Sequence, residues 1–144
     1  MEELKLRAWH KDLKVMRQIA EINFLWTPGP NEKELGGTVV VWDHPSVTAA
    51  MIKGSTDAWR FEDIVIIRYT GLEDKNGKEI YESNIVRWFD SYNKPHLHVI
   101  SWSKKWACFD FPMYMTDSKK DFYDMEVIGD IYQNPELLEI YKKS

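Results

Sequence analysis

The chain has 144 residues, 44% of them apolar and 14% aromatic, with seven Trp, a makeup that excludes intrinsic disorder and suffices for one domain with a ring-rich core. Its 23 acidic and 19 basic residues leave a net charge of −4, which supplies no overall attraction for nucleic acid or anionic lipid. Cys108 is the single cysteine, and the sequence shows neither an apolar leader of signal-peptide type nor an apolar run long enough to span a bilayer, so the expected setting is reducing and cytoplasmic.

The opening segment LKLRAWHKDLKVMRQIAEINF reads two ways. Leu13, Met16, Ile19 and Ala20 fit one helical face, whereas LKLRAW alternates as a strand does, and the pattern alone does not choose. After the turn-rich TPGPNEKELGG, the run GGTVVVWD at 36–43 places β-branched Val39, Val40 and Val41 where a pleated, half-buried strand suits them. HPSVTAAMIKG at 44–54 favours a helix: Ser46 can cap it, Ala49, Ala50, Met51 and Ile52 propagate it, and Gly54 stops it.

Four further runs read as short strands of a meander or small barrel: FEDIVIIRYT (61–70), IVRWF (85–89), LHVISW (97–102) and WACFDF (106–111). Between the first two lies YTGLEDKNGKEIYESNIV (69–86), a hairpin turning at Asn76 and Gly77, both of which accept positive φ. A phosphate-cradling loop would lead into a helix N-terminus, and this one leads into strands. NPELLEIYKKS closes the chain as a helix, with Asn134 as cap, Pro135 where a missing N–H costs nothing, Glu136 at the positive dipole end and Lys142 and Lys143 at the negative one. Too short to stand alone, this helix is expected to dock Leu137, Leu138 and Tyr141 on the sheet.

Three segments resemble the YopX family of phage and prophage proteins: LRAWHKDLKVM (6–16) its opening, IRYTGLEDKNGKEIYESNIV (67–86) its central signature and MEVIGDIYQNPELL (125–138) its closing one. The sequence departs from the family pattern at Ser83 and Asn84, where Gly-Asp is usual before Ile-Val, and at Arg68, where Gln is usual before Tyr-Thr-Gly. The resemblance implies a mainly β, or β-rich α+β, small-barrel-like fold of short strands with a C-terminal helix, as a single domain over residues 1–144. It tips the N-terminal segment toward a hairpin, and it implies an accessory role in temperate phages or prophages without any particular activity.

His96 and His98, two apart in KPHLHVISW, share one face of a strand, as two ligands of one divalent metal would; His44 and Asp43 in WDHP are candidates to complete the set. The competing reading makes His96 a turn residue after Pro95 and His98 a surface residue, with no cofactor. Arg87, Trp88, Phe89 and Tyr92 in VRWFDSYNK, and Trp102, Lys104, Lys105 and Trp106 in SWSKKWACF, interleave rings and cations as single-stranded nucleic-acid binders do. Alternation assigns about half of such rings to the core, with Ser-Lys-Lys as a plain hairpin turn, and the negative net charge disfavours nucleic acid. The carboxylates Asp117, Asp121, Asp124, Glu126 and Asp130 match no calcium-loop spacing and read as a solvated loop before a strand. No nucleophile elbow, Walker loop or dinucleotide fingerprint is present, so a non-catalytic module that binds a protein, including another copy of the chain, is expected over an enzyme or metal protein.

Overall fold

The structure, a computed structural model, describes residues 5–25, 36–42, 56–112 and 125–143. Its described residues are mainly β, with one C-terminal helix, and they fall into two compact units that divide between Ile67 and Arg68, within one strand. The expected helix at 44–54 and the residues Asp43, His44, Asp117, Asp121 and Asp124 lie outside the described residues.

The first unit opens with β1 (Leu6–His10) and β2 (Val15–Leu25), an antiparallel hairpin pairing His10 with Val15 and Arg7 with Gln18. The hairpin reading of the N-terminal segment holds. The turn between them has Lys14 at φ 55, and the His10 ring organises it, Nδ1 accepting the N–H groups of Asp12 and Leu13 at 3.3 and 3.2 Å. β3 (Gly36–Trp42) and β4 (Thr56–Arg60) extend the sheet in the order β4-β3-β2-β1, and β5 (Ile64–Glu73) lies beyond β1. Period-two alternation decides what is buried: Val39 and Val41 are fully covered, while Val40 between them is half-buried. They pack with Ala8, Trp59 and Ile64, and burial of each such aliphatic side chain contributes about 1.5–3 kcal/mol.

The second unit starts with the rest of β5. Residues 61–63, expected as strand, form a single 3-10 turn instead. β5 pairs with β6 (Glu79–Tyr81) through Tyr69–Tyr81 and Glu73–Glu79, with a bulge between these pairs around Gly71, where the Thr70 hydroxyl donates to the Ile80 carbonyl at 2.7 Å. β7 (Asn84–Phe89) is central to a three-stranded antiparallel sheet, flanked by β8 (Pro95–Val99) and β11 (Glu126–Asp130). The expected strand over 97–102 is interrupted at Ile100 into β8 and β9 (Ser101–Ser103), and that over 106–111 is shortened to β10 (Cys108–Asp110). Ile80, Val86, Ile100, Met125 and Val127 make this unit's core. The described strands form open antiparallel sheets with distinct edges rather than the closed ring that a barrel would require.

The turn at 74–78 differs in detail from the expectation. Gly77 alone takes positive φ, at 78°, and its N–H donates to the Asp74 carbonyl at 3.0 Å, while the Asp74 N–H donates to the Lys78 carbonyl at 2.8 Å. This is a three-residue loop with a left-handed third position, and the sequence DSYNK repeats it. There Asn93 has φ 59, its N–H reaches the Asp90 carbonyl at 2.9 Å, and Asp90 Oδ1 accepts from Tyr92 and Lys94 as Asp74 Oδ1 does from Asn76 and Lys78. Asp74 is the buried member of the pair, and its second oxygen takes the Val127 N–H at 2.9 Å, tying the loop to β11.

The Ser83-Asn84 step before Ile85-Val86 has a local reason. Ser83 is buried with φ 68, its N–H donating to the Ile100 carbonyl at 2.7 Å and its hydroxyl to the Glu82 carbonyl, and Asn84 Oδ1 accepts the Tyr81 N–H at 2.7 Å, as Asp would. In the closing signature, Asp130 Oδ1 accepts the N–H groups of Tyr132 and Gln133, and Asn134 returns its Oδ1 to the Asp130 N–H at 3.2 Å. Gly129 is required there by close approach, since a Cβ would lie 2.6 Å from Asn134 Oδ1. Asn134 therefore does not cap α1 (Glu136–Lys143) with its side-chain oxygen; its carbonyl meets the Leu137 N–H instead. Leu137 and Leu138 are half-buried, whereas Ile140 is exposed.

Nothing lies within 4 Å of a Cβ built on Gly77, so a substitution there isolates the backbone term. Gly77→Val is expected to cost about 2–3 kcal/mol and Ser83→Gly to stabilise by up to about 1 kcal/mol, both read from urea midpoints; a Ser83→Gly chain that is markedly less stable would remove the left-handed assignment. Burial, the largest influence on Asp74, pushes its pKa up, but hydrogen bonds from Val127, Lys78 and Asn76 outweigh it and hold the carboxyl below its ordinary value of 3.8. A lowered folded pKa means stability that is full above that ordinary value and lost as pH falls through the folded one. Asp74→Asn should thus cost about 1–3 kcal/mol at pH 7, and the difference from the parent chain should shrink in unfolding curves taken below about pH 4.

Candidate interaction surface

β9 and β10 form a two-stranded hairpin, pairing Cys108 with Ser103, Phe109 with Trp102 and Asp110 with Ser101. Its four-residue turn, residues 104–107, has Ala107 at φ 51 and a Trp106 N–H that donates to Ser103 Oγ at 3.3 Å. Trp106 lies within this turn and is 71% exposed; Trp102, on the strand, is 37% exposed. Lys104, Lys105 and Cys108 are exposed too, and Lys105 Nζ lies 4.8 Å from the centre of the Trp106 ring.

A hairpin of three-residue strands is barely stable by itself, and here it is held by the packing of Phe109 against the core of its unit and by contacts through Trp102, Arg68 and His98. Trp102 and Phe109 meet edge to face across the strands, with centroids 5.2 Å apart. The Arg68 guanidinium lies 4.8 Å from the Trp102 ring centre and 5.5 Å from that of Phe109. Arg68 is itself fixed by a two-pronged ion pair with Glu82, both contacts at 3.0 Å, which raises its pKa. At the base, His98 Nε2 donates to the Asp110 carbonyl at 2.9 Å and lies 3.6 Å from its carboxylate.

Of the residues singled out in the sequence, the structure therefore brings together Trp102, Lys104, Lys105 and Trp106. Arg87 and Trp88 are engaged elsewhere, on opposite faces of β7. Arg87 Nη2 bonds Glu126 Oε2 at 2.6 Å, a contact that holds the Glu126 carboxyl below its ordinary range, and Trp88 stacks on His96 with centroids 4.6 Å apart. Sequence reasoning missed Arg68, Glu82 and Phe109 as supports of the hairpin. The available signal was Arg68 itself, noted in the sequence as a departure from the pattern it resembles, since an amide there could neither pair with Glu82 as an ion nor lie on a ring as a cation.

His96 and His98 do alternate on one face of β8, but each turns to a different partner, His96 Nε2 to Asp90 Oδ2 at 2.8 Å and His98 to Asp110. The hydrogen bond from His96 holds the Asp90 carboxyl below its ordinary value. Among the described residues no three His, Cys, Asp or Glu side chains gather as a metal would require, and His44 lies outside them. No helix of the described residues is long and apolar enough to cross a membrane.

The sequence matches the family described as YopX protein over residues 5–139. No curated protein matches it. Among solved structures, the chain is similar to protein EF1440 from Enterococcus faecalis, with a TM-score of 0.58 and 22% identity over 96% of this chain and 99% of that one. It is also similar to protein yopX from Bacillus subtilis, with a TM-score of 0.50 and 16% identity over 92% of this chain and 96% of that one. At such identities the structural likeness speaks for the fold alone, and it agrees with the sequence match: this chain belongs to the YopX family.

Proposed function

We propose that the protein is a non-catalytic interaction module, a single YopX-like domain over residues 1–144 that serves a phage or prophage in the cytoplasm of the bacterial host by binding a protein. The observation that carries this reading is the β9–β10 hairpin, which holds Trp106 in the solvent at 71% exposure on a support built from Arg68, Glu82 and Phe109. A supported, exposed Trp is the residue type that most often dominates a protein interface, because a large rigid ring is desolvated at small conformational cost. Burial within its own fold would be the default for such a ring, and here the ring lies in a turn and is exposed.

Nucleic acid is less well served by the same residues. Bases bind by stacking on open ring faces, and here Lys105 and Arg68 each take one face of Trp106 and Trp102, which leaves a single face of each ring for stacking. The net charge of −4 adds no general attraction for phosphate.

Affinity capture from phage-carrying host cells with the tagged full chain tests the reading. Trp106→Ser, at an exposed turn position, should leave the melting temperature nearly unchanged and weaken a captured protein partner by about 30-fold or more, the effect of losing an interface anchor of at least about 2 kcal/mol. Partners retained equally by the parent and by Trp106→Ser would end it.

A further inference from the structure

We infer that the partner presents an extended acidic segment with an apolar side chain to the β9–β10 hairpin, a conclusion that rests on the protein-binding reading above. From Ser101 to Phe109 the chain carries Lys104 and Lys105 and no carboxylate, within a protein of net charge −4. Arg68 is paired with Glu82, and the Asp110 carboxylate just beyond Phe109 is half-exposed, so two lysines stand against one carboxylate at this hairpin and set its local sign. Their complement is anionic, and complementary charge at an interface speeds encounter and excludes basic competitors.

The backbone gives the segment its conformation. The described sheet has only two strands, β10 and β9, so among the described residues each strand has one ladder partner and one edge without a strand, with the Asp110 carbonyl taken by His98. A ribbon of two three-residue strands gains most from a third, and an added strand brings main-chain hydrogen bonds while alternate side chains meet whatever the ribbon offers. What it offers is the indole surface of Trp106 that Lys105 leaves uncovered, and the half-open ring of Trp102. Carboxylates near Lys104 and Lys105, with an apolar residue between them against Trp106, satisfy all three features.

Titration of the full chain, followed by Trp emission, tests this with short synthetic peptides: one alternating Glu and Leu, its Lys-Leu counterpart, its Glu-Ser counterpart, and a single-stranded oligothymidine. The Glu-Leu peptide should bind with a Kd in the micromolar range, about tenfold tighter than either counterpart and than the oligonucleotide, and lose affinity as salt is raised. Lys104→Glu with Lys105→Glu should weaken it by about tenfold or more, with Lys104→Ala and Lys105→Ala giving a smaller loss in the same direction if the reversed charges disturb folding. Absence of binding, equal affinity for the Lys-Leu peptide, tighter binding of the oligonucleotide, or indifference to the lysine substitutions overturns the inference. A captured partner that depends on Trp106 but not on Lys104 and Lys105 removes the acidic segment and leaves the interaction module standing; one that ignores Trp106 removes both.

Discussion

The carboxylate of Asp74 accepts hydrogen bonds from three backbone N–H groups, those of Asn76 and Lys78 within its own loop and that of Val127 on β11, and much of the second unit is arranged around it. A buried charge without partners would be strongly destabilising, so the chain must bring all three donors to it at once. Doing so fixes the tip of the β5–β6 hairpin against the start of β11, and the Lys75 N–H adds a bond to the Met125 carbonyl at 3.0 Å. β11 in turn pairs with β7, and β7 with β8, so one side chain couples a local turn to a long-range sheet.

Backbone conformation of positive φ is the second recurring constraint. Lys14, Gly77, Asn93 and Ala107 each occupy it near the end of a hairpin turn, and Ser83 occupies it where β6 gives way to β7. The turns 74–78 and 90–94 share one hydrogen-bond scheme, although one uses Gly and the other Asn at the left-handed position. The turns 11–14 and 104–107 form a second pair, in which a side chain of the preceding strand end, His10 or Ser103, accepts a loop N–H. Short strands are viable here because side-chain acceptors hold the loops, not because the ladders are long.

The hairpin proposed to bind a partner departs from this economy. Its strands are as short as β6, yet its turn holds Trp106 exposed to solvent. It is held through Arg68, His98 and the packing of Phe109 on the core of its unit, and these contacts leave Trp106 exposed. His96 and His98, by contrast, are turned toward partners within the chain, which accounts for their spacing as fully as a metal would.

Much was legible in the sequence because it is local. β-branched triplets, the Asn76-Gly77 turn and the three signature segments identify a mainly β chain, place the 74–78 loop as architecture rather than as a phosphate cradle, and point to the family. The sequence also placed a turn near Ser103, Lys104 and Lys105. What it could not supply was pairing between residues far apart: that Val127 completes Asp74, and that Arg68 and Glu82 support a hairpin more than thirty and nearly twenty positions on. The same limit decided which rings are exposed, since alternation predicts that a strand has two faces but not which face meets a core. Only the tertiary structure put Trp106 in a turn rather than a strand, and so in the solvent, because the left-handed residue that ends that turn is Ala107, a residue with no local preference for that conformation.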